Sequence, residues 1–225
     1  RWHGQVHEAV PTKGTILSLP IPIEHRKERP GDPNRNLHIY ETILRSGQKL
    51  ETRQLYYYGR ELFEHHRFRE AADAFRDFLK KSDGWKENLI DACLLLSLCM
   101  EQLGKDKAIL PALFASFRYD APRARICCEI GRRKFTSALY QEAAWWYNAA
   151  LSDQPDQHPG SFIQAAYYGY IPLLQLCLCH SRLGDHKTAL SYHKKAKALW
   201  PDDETIQQNE LYFQELSSSA PDLFK

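Results

Sequence analysis

Tyr140, Ala143, Tyr147, Ala150, Leu151 and Pro155 form a string that recurs along the chain, and this recurrence limits the possible folds more than composition does. Small residues at helical spacing let two helices approach closely, aromatic rings fill the space between turns, and a proline ends the unit. Gly184, Ala189, Ala196 and Pro201 repeat the same offsets, with His193 where the first copy has Tyr147. Upstream, Gly59, Phe68, Ala71, Phe75 and Leu79 give a third copy that lacks the final proline. A weaker fourth has Gly104, Ala108, Ala112 and Ala115, with Pro122 displaced by two residues. Ala71, Ala108 and Ala143 are 37 and 35 residues apart. The next interval is 46, because residues 152–161 (SDQPDQHPGS) read as an inserted loop. Four matches in one phase predict a stack of helix pairs.

The string resembles the tetratricopeptide repeat (TPR), whose unit is about 34 residues. The resemblance implies a mainly α, TPR-type helix-pair solenoid whose default task is to hold a partner. Composition agrees with such a role. Hydrophobic residues make up 43% of the 225, enough for a continuous core, while 26% are charged. The formal net charge of +2 lacks the basic excess of a dedicated nucleic-acid binder, so no nucleic-acid partner is expected. No apolar run reaches the roughly 18 residues of a membrane-spanning helix, and the opening RWHGQVHEAV is no signal peptide.

All six cysteines (Cys93, Cys99, Cys127, Cys128, Cys177 and Cys179) fall in predicted helices. They read as small buried hydrophobes in a reducing, cytoplasmic compartment. Cys177, Cys179 and His180 do not make a metal site, since residues i and i+2 of a helix point to different sides.

From Thr52 onward the apolar spacing is helical. Leu55, Tyr58, Leu62 and Phe63 make one stripe; Phe68, Ala71, Phe75, Phe78 and Leu79 make the facing one. Ser82, Asp83 and Gly84 separate this pair from the next, whose first helix, near Trp85 to Leu103, is apolar on nearly all sides and belongs in the interior. The third pair runs from about Pro122 to Ser152 and the fourth from about Phe162 to Trp200, with Pro172 expected to kink or restart its first helix. Asp202, Asp203 and Glu204 favour a last helix to about Leu216 that caps the stack. In the TPR phase the first helix of each pair lines the binding groove, which assigns Arg53, Tyr56, Arg60, Arg125 and Arg132 to it. Arginine forks suit carboxylates or phosphates, hence an acidic peptide or an anionic glycan carrier; the bland alternative is that they cover neighbouring acids such as Glu129.

Residues 1–30 do not fit the repeat. Gln5 to Val10 and Thr15 to Glu24 read as short strands, and Asp32–Pro33 as the start of a helix faced by Leu37, Tyr40, Ile43 and Leu44. The run Trp2-His3-Gly4-Gln5-Val6-His7-Glu8 resembles a W-x-G-x-V-H-E signature near the end of the catalytic domain in bacterial family 2 glycosyltransferases, one branch of which carries a C-terminal TPR array. Ile21-Pro22-Ile23-Glu24-His25, Arg35-Asn36-Leu37 and Arg53-Gln54-Leu55-Tyr56-Tyr57-Tyr58 continue the similarity, as do the Pro122-Arg123-Ala124 and Trp146-Tyr147 regions.

That resemblance implies a parent enzyme moving a sugar from a nucleotide-sugar donor, with a divalent metal (Mg or Mn), to an acceptor protein, peptide or glycan held by the array. The expected layout is a β-containing remnant of an α/β glycosyltransferase domain at 1–30, a linking helix at 31–51, four helix pairs at 52–201 and a capping helix with tail at 202–225. His7 and Glu8 become the candidate catalytic residues and His25 a candidate metal ligand. No Asp-x-Asp occurs in the chain, so the sequence as it stands is expected to be inactive alone. The alternative is a free-standing TPR adaptor for an acidic peptide or protein partner.

Overall fold

The computed structural model describes residues 32–154 and 162–220. The strands expected within residues 1–30, together with His7, Glu8 and His25, lie outside the described residues. Among the described residues there is no strand, and the chain runs through ten α-helices. They are α1 (Arg35–Arg45), α2 (Thr52–Glu64), α3 (Phe68–Leu79), α4 (Lys86–Gln102), α5 (Asp106–Ala115), α6 (Ala124–Thr136), α7 (Tyr140–Ser152), α8 (Tyr170–Arg182), α9 (His186–Leu199) and α10 (Glu204–Ser219). Two compact units divide at residues 109 and 110, inside α5.

In the first unit α1 packs on α2, α2 on α3 and α3 on α4. A capping box opens α2, where the Glu51 backbone N–H donates to Gln54 Oε1 at 2.9 Å. The α2–α3 approach is set by Gly59, where an added Cβ would stand 2.8 Å from the Phe75 ring. Tyr56, Leu62, Phe75 and Phe78 are completely buried around that contact. Helix α4 buries Leu89, Ile90, Cys93, Leu94, Cys99 and Met100, which lie all around its circumference, as its composition predicts.

The second unit repeats the arrangement. α6 packs on α7, α7 on α8, α8 on α9 and α9 on α10. Gly131 here meets the Tyr147 ring, with a hypothetical Cβ at 3.0 Å, sixteen residues apart in sequence like Gly59 and Phe75. Ala124, Cys127, Cys128, Ala143, Ala144, Tyr147, Ala150, Leu176 and Cys179 form its principal core.

Each helix pair turns in the same way. His66, Gly104, Ala138 and Gly184 have φ of 58°, 65°, 58° and 78°, one left-handed residue just past the end of each first helix. His66 N–H donates to the Phe63 carbonyl and Arg67 N–H to that of Leu62; the same two bonds recur at Gly104 and Lys105, Ala138 and Leu139, Gly184 and Asp185. This is the Schellman closure, and only two of its four positions carry the glycine that would announce it.

A second recurrent contact closes three of the four helix pairs. Thr52 Oγ1 donates to Asp83 at 2.8 Å, the Ala124 backbone N–H to Asp153 at 2.6 Å, and Tyr170 Oη to Asp203 at 2.9 Å. In each case the start of a first helix is tied to an aspartate beyond the second.

Two helix limits differ from the sequence expectation. The first helix of the fourth pair begins at Tyr170 rather than near Phe162, after a 3₁₀ turn at Ala165–Tyr168. Pro172 lies in the first turn of α8, where no intrahelical donor is lost, so it restarts the helix without kinking it. At the other end α10 continues past Leu216 to Ser219, with the Ser218 and Ser219 hydroxyls donating to the Gln214 and Glu215 carbonyls at 2.9 Å.

Candidate functional site

Of the residues assigned to a groove, Arg53, Tyr56 and Arg60 lie on α2 in the first unit, and Arg125 and Arg132 on α6 in the second. Arg53 is exposed, with its guanidinium 5.2 Å from the centre of the Tyr57 ring. Tyr56 corrects the expectation. It is completely buried, its ring 5.4 Å from Phe78, and its hydroxyl donates to Asp91 Oδ2 of α4 at 2.7 Å. Burial and then the Asp91 charge push its phenol far above the ordinary tyrosine value. Arg60 is half-buried next to this pair.

In the second unit the Arg125 guanidinium sits over Tyr167, 5.5 Å from the ring centre. Arg132 closes on its own helix, with Nε 3.0 Å and Nη2 2.9 Å from Glu129 Oε2. All five are therefore engaged within the chain: Arg53 and Arg125 over tyrosine rings, Tyr56 with Asp91, Arg60 beside Tyr56 and Asp91, and Arg132 with Glu129.

The six thiols are free and buried, as their sequence context predicts. Burial pushes Cys99, Cys127 and Cys179 up to about 12 and Cys177 to about 11. Cys177 packs with Ala189 and Phe213, whereas Cys179 joins the core beside Leu176, so the two diverge. Among the described residues no group of three or more His, Cys, Asp or Glu is placed to hold a metal ion.

Sequence reasoning missed a groove between α8 and α10, with a volume of about 490 Å³. Leu174, Leu178 and Arg182 line it from α8, and Asn209, Tyr212 and Phe213 from α10. Leu178 is 38% exposed and Tyr212 46%, so both are open to solvent along the groove. Ser181, Arg182 and Asn209 also border it, and their side chains have no hydrogen-bond or ion-pair partner among the described residues. The spacing of Leu174, Leu178 and Arg182 is the one sequence signal for this groove, and it is hidden in a helix already rich in leucine.

A pocket of about 520 Å³ beside the exposed Trp145 differs in one respect: its polar groups are already spent. Asn148 donates to the Ala144 carbonyl and accepts from Tyr192, Ser152 donates to the Asn148 carbonyl, and Asp153 accepts from Ala124. The α8–α10 groove, by contrast, couples an apolar floor to polar side chains without a described partner.

No protein-family profile matches the sequence, and no curated protein matches it. Solved structures do. The chain is similar to YrrB, described as a TPR protein with an unusual peptide-binding site, at 17% identity and a TM-score of 0.57, over 79% of this chain and 83% of that one. The fold is that of the TPR. A MamA protein matches at 16% identity and a TM-score of 0.57, over 73% of this chain and 81% of that one. PilF of Pseudomonas aeruginosa matches at 20% identity and a TM-score of 0.55, over 72% and 67%. These likenesses carry the helix-pair TPR architecture and nothing finer. No helix among the described residues is long and apolar enough to cross a membrane.

Proposed function

We propose that the chain is a protein-interaction TPR module that docks an extended peptide in the groove between α8 and α10. The observation that carries this is the combination found there: Leu174, Leu178, Tyr212 and Phe213 offer apolar contact beside Ser181, Arg182 and Asn209, which have no partner among the described residues. Apolar contact with a few polar groups that fix orientation is what a peptide site requires. A structural relative, YrrB, is itself described as having a peptide-binding site. Arg53 and Arg60 on α2 and, separately, Arg125 on α6 are proposed as anion-binding side chains for an acidic peptide or glycan.

A tiled peptide array from the source proteome, probed with the chain and with Leu178→Asp and Tyr212→Ala, tests the reading. Peptides captured by the parent chain should be lost in both variants while far-ultraviolet circular dichroism is unchanged. Equal capture by the variants overturns the assignment to this groove.

A second reading rests on the Trp2–Glu8 run and its continuation to His25: the module serves a nucleotide-sugar glycosyltransferase, with His7 and Glu8 catalytic and His25 near an Mg or Mn site. Nucleotide-sugar turnover by the product of the complete reading frame, lost on His7→Ala, is the outcome this reading requires. Undiminished turnover in that variant removes His7 from the chemistry.

A further inference from the structure

Along α8, Leu174, Leu178 and Arg182 follow one another at four-residue steps and line the α8–α10 groove from one side. At about 1.5 Å per residue, a helix sets such side chains about 6 Å apart along its axis. An extended peptide points every second side chain to the same face, about 6.6 Å apart. The two spacings agree closely enough for three alternate peptide residues to lie over Leu174, Leu178 and Arg182 in turn. Tyr212 faces the same space from α10, and the Asn209 amide there offers both a donor and an acceptor.

Among the described residues that line the groove, Arg182 alone is charged. Arg67, Arg76, Arg123 and Arg132 each find an acid three positions away, in Glu70, Asp73, Asp120 and Glu129. Asp185 stands three positions from Arg182 but is spent on α9 and His180. It accepts from the Thr188 N–H at 3.0 Å and lies 3.3 Å from His180 Nδ1. Nor does the end of α8 use the guanidinium, since the Cys179, His180 and Ser181 carbonyls accept from the backbone N–H groups of Leu183, Asp185 and Gly184. Glu215, one turn past Tyr212 on α10, forms no ion pair with Arg182 either. The guanidinium is thus exposed at the groove, with no hydrogen-bond or ion-pair partner among the described residues.

We infer that Arg182 sets the specificity of this groove by selecting an acidic side chain two residues from an apolar one. The peptide carries the pattern apolar-x-apolar-x-acidic, read in one chain direction or the other. Its two apolar residues lie over Leu174 and Leu178 against Tyr212, and its carboxylate takes the fork of Arg182. The residues between them point away from α8, so an acid moved by one position loses the contact. This inference rests on the peptide reading of the groove and adds to it the charge and spacing of the occupant.

The test titrates fluorescein-labelled peptides into the whole chain and reads fluorescence anisotropy. The probes are Gly-Ser-Leu-Ser-Leu-Ser-Glu-Ser-Gly and its reverse, amidated at the C-terminus so that the glutamate is the sole carboxylate. One of the two should bind, and binding should weaken at least about threefold when the glutamate becomes glutamine or moves by one position. Arg182→Gln should bind the glutamate and glutamine peptides alike, and Arg182→Glu should prefer a lysine in that place. Circular dichroism confirms that these exposed substitutions leave the fold intact. No binding of either peptide, equal binding of the shifted acid, or an unchanged preference for glutamate in Arg182→Gln overturns the inference. Array peptides still lost in Leu178→Asp would then leave the groove reading standing. Capture untouched by Leu178→Asp removes the groove reading and the inference with it.

Discussion

His193 Nε2 and Glu210 Oε2 lie 2.6 Å apart, and this contact ties α10 to α9. His193 is completely buried at the position that Phe75 and Tyr147 occupy in earlier pairs, and its Nδ1 has no hydrogen-bond partner. The hydrogen bonds from His193 and Lys197 hold the Glu210 carboxyl below its ordinary value. Its contribution is thus present above the unfolded carboxylate value of about 4.3 and is lost as pH falls through the lower folded value. Glu210→Ala should leave both His193 ring nitrogens buried without partners and cost about 2 kcal/mol in urea melts. Hydrogen exchange should localise the loss to α10, and the variant should show a weaker acid dependence than the parent below about pH 4.

Ala138 and His66 hold left-handed backbone where Gly104 and Gly184 do so in the other two turns. The strain costs an L-residue about 1 kcal/mol or more. Ala138→Gly and His66→Gly are therefore expected to stabilise the protein by roughly 0.5–1 kcal/mol each, read as a rise in thermal midpoint, despite the extra freedom of glycine in the unfolded chain. A fall in midpoint for both would contradict the turn geometry.

Gly59 and Gly131 are constrained by crowding. A Cβ at Gly59 would stand 2.8 Å from the buried Phe75 ring, and one at Gly131 would stand 3.0 Å from Tyr147. Gly59→Ala should destabilise by about 1–3 kcal/mol through the forced ring shift, and Gly131→Ala by somewhat less. Gly59→Ala/Phe75→Leu should recover part of the loss, which a purely helix-propensity effect would not predict.

Tyr56 donates to Asp91 from the core. Tyr56→Phe should cost about 1–2 kcal/mol in chemical denaturation because a buried hydrogen bond to a charged group is lost. Peptide capture by the folded variant should be unchanged, since the ring has no exposed surface.

The buried thiols give a probe of global opening. A thiol near 12 is ionised to roughly 1 part in 10,000 at pH 8, so Cys99, Cys127 and Cys179 should be almost inert to Ellman's reagent in the native chain. All six cysteines should react at once in denaturant.

The helix pairs were legible because their signals are local and periodic: Ala71, Ala143 and Ala189 recur with an aromatic or histidine four residues later, at Phe75, Tyr147 and His193. The turns were half legible. Glycine marks Gly104 and Gly184, but His66 and Ala138 adopt the same geometry under pressure from the helices they join, which no local propensity reveals. The α8–α10 groove was not legible, because Leu178 and Tyr212 have the composition of core residues and are exposed only through the placement of α10 on α9.

By itself the sequence determined the repeat unit, the close approach at each glycine or alanine, and the burial of the cysteines, all of which follow from side-chain size at helical spacing. Only the tertiary structure decided which edge residues serve the core and which face a groove. Tyr56 turns inward, where Asp91, thirty-five residues on, accepts a hydrogen bond from its hydroxyl, and Arg132 closes on Glu129. Helical period fixes the direction in which a side chain leaves its helix; whether it then meets solvent or a partner depends on a neighbour brought there by the fold.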